Sequence, residues 1–159
     1  MVKAKRGVAD WKSVPLNVDN SLLFRMVRLT NYMSQHYKNA PVNDYGLSAR
    51  DWRIMLAIAA HQGASAAIIS KFTGYDQMSV GRTVSKLVGQ KRVRQLRNPE
   101  DRRATFLYLT DGAWEPYSKL AELIQDFEQD ILSVLSSAER KSLDKIFTKL
   151  TQSMLDHAF

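Results

Sequence analysis

Apolar residues recur at helical spacing through most of the chain and give way to short strand-like runs between residues 93 and 110. From Asp76 they fall at Val80, Val84, Leu87 and Val88, the i, i+4, i+7, i+8 pattern of a helix with one buried face. Ser79, Arg82, Thr83 and Lys86 are assigned to its opposite face, and the Asp76 carboxylate is placed to accept from the free amides of the first turn. A strand is predicted over Val93–Arg97, a turn at Asn98-Pro99, and a returning strand over 103–110, rich in aromatic and branched residues.

Upstream, Asp19, Asn20 or Ser21 can cap a first helix with the stripe Leu22, Leu23, Met26, Val27, Leu29, Met33 and Tyr37, ended by Lys38-Asn39-Ala40-Pro41. A second helix begins at Leu47-Ser48. Ser48 is its cap, Asp51 returns a bond from the third helical position, Leu47 staples onto Trp52, and the helix runs to about His61. A third covers about 66–72, with Ile68, Ile69 and Phe72 expected inward, and Thr73-Gly74-Tyr75 turns into the Asp76 helix. Two short helices joined by a glycine-containing turn make a helix-turn-helix, and the following hairpin makes it winged. A long helix is expected over 114–135, with Pro116 in its first turn or else kinking it. A capping box from Ser136 to Glu139 then opens a last helix carrying Leu143, Ile146, Phe147, Leu150, Met154 and Leu155. The expected fold is therefore mainly α with a small β-hairpin. A flexible basic arm occupies 1–18, a dimerisation helix 19–46, a winged helix-turn-helix lobe 47–110, and dimerisation helices 111–159. The terminal helices carry more apolar surface than one small winged lobe can cover, which points to a helical dimer interface.

Charge sharpens this outline. The formal net charge is +7. Residues 82–103 hold eight basic residues (Arg82, Lys86, Lys91, Arg92, Arg94, Arg97, Arg102, Arg103) against Glu100 and Asp101, a net of +6. Residues 111–159 hold nine acidic and five basic residues, a net of −4. Nearly all the positive excess thus lies on one helix and one hairpin, as an anionic partner would require. A helix with short polar side chains and Arg suits the major groove of duplex DNA, and a basic hairpin beside it can reach phosphates or the minor groove. No apolar run reaches the roughly 20 residues needed to span a bilayer, and the basic N-terminus lacks the apolar core of a signal peptide. A cytoplasmic protein without membrane association is expected.

Other chemistries find no support. There is no phosphate-binding Walker loop, no H-E-x-x-H, no G-x-S-x-G and no dinucleotide glycine fingerprint. With no cysteine, disulfides and thiolate zinc sites are excluded. His36, His61 and His157 show no metal-ligand spacing, and Glu128 and Asp130, two apart on a helix, do not face each other. No catalytic residue, metal or cofactor is expected.

At this point the chain resembles the MarR family of winged-helix regulators, over about residues 20–155. The most specific piece is Asp101-Arg102-Arg103 followed by Leu107, Leu109 and Thr110, similar to the family's D-x-R wing and its L-T ending. Leu47, Ser48, Trp52 and Leu56 resemble the start of its second helix, and Asp76, Val80, Arg82, Val84 and Leu87 its recognition helix. The resemblance implies a homodimer on double-stranded DNA, with the Asp76 helix in the major groove and Arg103, held by Asp101, in the minor groove. It implies a ligand-responsive repressor on a palindromic operator. The residues assigned to DNA are Gln77, Met78, Ser79, Arg82, Thr83, Lys86, Arg97, Asp101, Arg102 and Arg103. Because the family often binds small aromatic or phenolic acids between the dimer helices and the lobe, Tyr32, His36, Trp52, Arg53, Trp114 and Tyr117 are the candidates for such an effector. Gln77 stands where proline is common, Gly81 where Ser or Thr is common, Lys91 where glycine usually follows the recognition helix, and Gly112 one residue early. These departures bear on the operator rather than the fold. The competing reading is a winged-helix adaptor whose basic face meets an acidic protein, and whether duplex DNA competes with that partner tests it.

Overall fold

The core grows outward from one helix start. Leu47 and Trp52, on either side of the cap of a helix at Ala49–Ala60, are both buried in one core cluster. Its cap is Ser48, whose Oγ accepts from the Asp51 amide at 3.2 Å while Asp51 Oδ2 accepts from the Ser48 amide at 2.7 Å. The expected capping box is therefore formed. The computed structural model describes residues 18, 20–39, 44–97 and 105–157, with backbone only for 37–39. In chain order the elements are α1 (Leu22–Asn39), α2 (Ala49–Ala60), α3 (Ala66–Thr73), α4 (Gln77–Gly89), β1 (Val93–Arg97), β2 (Thr105–Leu109), α5 (Asp111–Leu132) and α6 (Ser137–His157). The arm at 1–17, Tyr37 as a stripe residue and the Asn98-Pro99 turn lie outside the described residues or side chains.

Helices α2, α3 and α4 pack as a three-helix lobe, and the antiparallel pair β1–β2 closes its open side, with Val93 opposite Leu109 and Arg97 opposite Thr105. The shared core is Leu47, Trp52, Ile54, Met55, Ile58, Ile69, Val80, Val84, Leu87, Val93, Leu107, Leu109 and Leu120. Burial of side chains of this size, at about 1.5–3 kcal/mol each, is the main stabilising contribution to the lobe. The hairpin is tied down by backbone bonds to the α2–α3 turn: the Gly63 amide donates to Leu107 at 2.8 Å, and the Leu107 amide to Ala64 at 3.0 Å. Gly63 has φ +86°, and a Cβ there would come within 3.1 Å of the Tyr108 hydroxyl. Both the backbone angle and the space demand glycine.

Two details depart from the sequence-based expectation. In α3, Ile69 is buried, whereas Ile68 and Phe72 are exposed. The short helix touches the core along one line, and Phe72 instead meets the His61 ring edge-on at 4.3 Å. Helix α5 begins at Asp111 and ends at Leu132, so Pro116 lies in its second turn rather than its first and removes one intrahelical bond there. As the sequence indicates, α1, α5 and α6 leave large apolar side chains uncovered, and α6 has no buried residue. The ends of these helices are nevertheless well made. Ser21 Oγ accepts from the Phe24 amide, Ser136 and Glu139 form the expected capping box, and Arg140 Nη2 donates to the Leu132 carbonyl at 2.7 Å across the α5–α6 turn.

The end of α4 carries local strain. The Lys91 amide donates to Val88 and the Arg92 amide to Leu87, a Schellman closure that puts Lys91 in the left-handed region at φ 57°. A non-glycine residue in that conformation costs about 1–2 kcal/mol, part of which is offset by the lower entropy of its unfolded chain. Lys91→Gly is therefore expected to raise stability by about 0.5–1 kcal/mol in urea titrations, while Lys91→Ala, which removes the same charge but keeps the strain, brings no gain.

Candidate nucleic-acid interface

Helix α4 is presented by the turn before it. Gly74, at φ 71°, ends α3, and Ser70 Oγ donates to the Tyr75 carbonyl at 2.6 Å, which fixes the angle between the two helices. Asp76 then caps α4, its Oδ1 accepting from the Ser79 amide at 2.8 Å. That contact with Ser79 holds the Asp76 carboxyl below its ordinary pKa. The inner face is Val80, Thr83, Val84 and Leu87.

Thr83 therefore corrects the sequence reading. It is buried between Val80 and Leu87 on the core side and is not available to an outside partner. One step around the helix from Val84, it falls within the buried arc, which is wider than the apolar residues alone suggest. Lys86 is also drawn away from the outer face. Its Nζ lies 2.5 Å from Asp51 Oδ2 on α2, although its side chain remains 46% exposed. Asp51 itself is only 3% exposed. Burial pushes its carboxyl up, but the Lys86 ammonium and the two Ser48 donors outweigh this, and the pKa is lowered overall. Of the residues assigned to DNA on α4, Gln77, Met78 and Arg82 are exposed and Ser79 is half-buried. The outer face also includes Gly81 and Ser85. The sequence reading missed Ser85 although the spacing Met78, Arg82, Ser85 was available to find it.

Beside this face runs β1, whose Arg94, Gln95, Leu96 and Arg97 are all exposed. Arg94 lies over the Tyr108 ring at 5.3 Å, so its guanidinium is held against the strand behind it. Arg97 ends the described part of the hairpin. Asp101, Arg102 and Arg103 lie outside the described residues. Arg92, counted with the basic stretch, is an anchor: its Nη2 donates to the Tyr45 carbonyl at 2.5 Å.

The effector candidates are only partly brought together. Trp52 is fully buried, its ring centre is 5.4 Å from Tyr117, and Tyr117 is 5.5 Å edge-on from Trp114. Burial raises the pKa of the Tyr117 hydroxyl. The Trp52 indole N–H has no acceptor among the described residues. Arg53 donates to the Tyr75 hydroxyl at 3.1 Å and to Ser34 Oγ at 3.2 Å, linking α2, α1 and the turn that precedes α4. His36 stacks on Phe127 at 3.6 Å. Tyr32 is separate, exposed on α1 in an open depression with Arg25 and Arg28. Among the described residues no three His, Asp or Glu side chains gather as a metal site, and no helix is long and apolar enough to cross a membrane.

Three helices closed by a two-stranded hairpin, with the third helix presenting an exposed polar face, define a winged helix-turn-helix protein. Residues 45–104, from just before α2 through β1, match the MarR family, and the chain is similar to that family over this stretch. It is 22% identical over 129 residues to the multiple antibiotic resistance protein MarR of Escherichia coli (strain K12), covering 80% of this chain and 90% of that protein. A crystal structure of a mutant of that protein complexed with operator DNA superposes with TM-score 0.69, covering 80% of this chain and 92% of that one. A MarR/EmrR family transcriptional regulator from Acinetobacter sp. ADP1 gives TM-score 0.80 at 25% identity, covering 89% and 99% of the two chains. The PcaV transcriptional regulator from Streptomyces coelicolor, in complex with its natural ligand, gives 0.72 at 19% identity, covering 92% and 99%.

The Asp51–Lys86 contact has a pH signature. Because the folded carboxyl has the lower pKa, its stabilising effect is complete above the ordinary Asp value of about 4 and is lost as pH falls through the lowered value. Asp51→Asn is expected to cost about 1–2 kcal/mol at neutral pH, an amount reduced by the exposure of Lys86, and to flatten the acid limb of the stability curve. Lys86→Met should be non-additive with it in a double-mutant cycle; additive costs would show that the two groups are not coupled.

Proposed function

We propose that this protein is a homodimeric transcriptional repressor that binds a palindromic operator and releases it in response to a small aromatic or phenolic acid. The observation that carries the reading is the division of α4. Its inner face is consumed by the core, and Gln77, Met78, Gly81, Arg82 and Ser85 face outward beside the exposed arginines of β1. Such a surface has the dimensions and chemistry of a major-groove reader flanked by phosphate contacts. The complex of E. coli MarR with operator DNA supports the choice of duplex DNA as partner, and the ligand complex of PcaV supports an effector.

Dimer formation follows from what α1, α5 and α6 leave uncovered. Leu22, Leu23, Val27, Ile131, Phe147 and Met154 are exposed, as is Val134 in the α5–α6 turn, to 82%. A second copy is the occupant that closes these faces and sets two α4 helices about one DNA turn apart. An acid seated near Arg53 would compete with Tyr75 and Ser34 for its guanidinium. This would loosen the link between α1 and the start of α4, and so alter the spacing of the two lobes. The protein works in the cytoplasm, needs no cofactor and catalyses no reaction.

Selection of bound duplexes from a random pool, repeated over a salt series, tests the reading. The expected result is an inverted repeat whose affinity falls steeply with salt. Arg103→Ala should weaken binding to all sequences and lower the salt slope by about one. Phe147→Glu should yield monomers in sedimentation and abolish tight operator binding. Uniform weak binding without enrichment, together with an acidic protein partner that duplex DNA fails to displace, would favour the adaptor reading instead.

A further inference from the structure

Among the residues facing outward from α4, two form a unit. Met78 is in the first turn of the helix, where recognition helices contact base edges, and is 67% exposed. Arg82 follows one turn later, also exposed, with its Nη2 2.9 Å from Met78 Sδ. The two side chains therefore lie together along one line of the helix surface. Gln77, at the first position of the helix, is exposed as well, but the positions that follow Met78 and Arg82 offer less. Gly81 has no side chain, and Ser85 turns its hydroxyl back onto the Gly81 carbonyl at 3.0 Å. Thr83 is buried and Lys86 is paired with Asp51.

We infer that Met78 and Arg82 jointly read a thymine–guanine feature, a T·A pair and a G·C pair within one or two base pairs of each other, in each operator half-site. The inference rests on the proposed role of α4 in the major groove. The chemistry is specific. The Arg82 guanidinium presents a planar fork of donors that matches O6 and N7 of guanine and no other base edge. The thioether and terminal methyl of Met78 have no strong donor or acceptor to offer and match the thymine C5-methyl, the one apolar group in the major groove. Residues four apart on a helix are about 6 Å apart, and stacked base pairs are about 3.4 Å apart, so the two side chains reach neighbouring or next-neighbouring pairs. Gly81, between them, leaves open space: a Cβ there would meet nothing within 4 Å of this chain. The backbone can thus approach the groove floor where the two contacts are made.

The test uses the operator selected from a random pool and the wild-type protein first. The selected half-site should hold an invariant guanine with a thymine one or two pairs away. Replacing that thymine by deoxyuridine, which removes only the methyl group, should weaken wild-type binding about fivefold and leave Met78→Ala unaffected. Arg82→Ala should lose at least about tenfold of its discrimination at the guanine while keeping the thymine-methyl effect. An enriched inverted repeat without this pair, or one indifferent to deoxyuridine with the wild-type protein, would overturn the inference and leave the repressor reading intact. Failure to enrich any sequence would overturn both. Because the deoxyuridine comparison changes only the DNA, it does not depend on the variants folding.

Discussion

One carboxylate connects the parts of this protein. Asp51 closes the first turn of α2 through Ser48 and, from the same oxygen, holds Lys86 of α4. Because Asp51 is buried, its charge must be met, and Lys86 together with the Ser48 amide does so. The contact lies at the junction of the two helices whose relative orientation decides what α4 presents to the outside. Around it lie the buried Leu47 and Trp52, the Gly74 turn and the Ser70–Tyr75 bond. A recognition surface must be rigid to discriminate, since a loose helix spreads its contacts over several registers. Here Lys86, one of the basic residues that charge counting groups together, is tied to α2 instead.

The basic stretch is thus not uniform in use. Arg92 and Lys86 are anchors within the lobe, Arg94 is held against Tyr108, and Arg82 and Arg97 face outward. Charge counting treats these as one patch, yet only groups with free donors can displace counterions from a phosphate backbone. A similar division holds for the aromatic residues. Trp52 supports the core, Tyr117 and Trp114 extend from it toward the surface, and the Arg53 bridge to Ser34 and Tyr75 joins the terminal helix α1 to the turn before α4.

The helical extensions obey a different logic. Their ends are well capped, by Ser21, by the Ser136–Glu139 box and by Arg140 on the carbonyls of α5. Capping defines where a helix begins and ends but covers none of its apolar surface. A chain that spends good local signals on helices whose faces remain exposed is built to complete its core in contact with a further surface.

What the sequence determined by itself was local. Both capping boxes, the helix-turn-helix with its hairpin and the Asp76 cap depend on residues within a few positions of one another, and each formed where its spacing indicated. The family pattern of the lobe was legible for the same reason. What only the tertiary structure decided were choices between side chains of equal local merit. Thr83 and Ser85 are both small hydroxyl residues on α4, and the lobe buried the first and left the second exposed. Ile68 and Ile69 are identical in propensity, but the line of contact along α3 admitted one of them. Lys86 could have met solvent, but an acid 35 positions earlier in the chain captured it. The left-handed turn at Lys91 arose because the closing bonds of α4 and the start of β1 required that angle whatever residue stood there. For Thr83, Ile69 and Lys86 the deciding term is a contact between elements distant in sequence, which periodicity and capping rules do not contain.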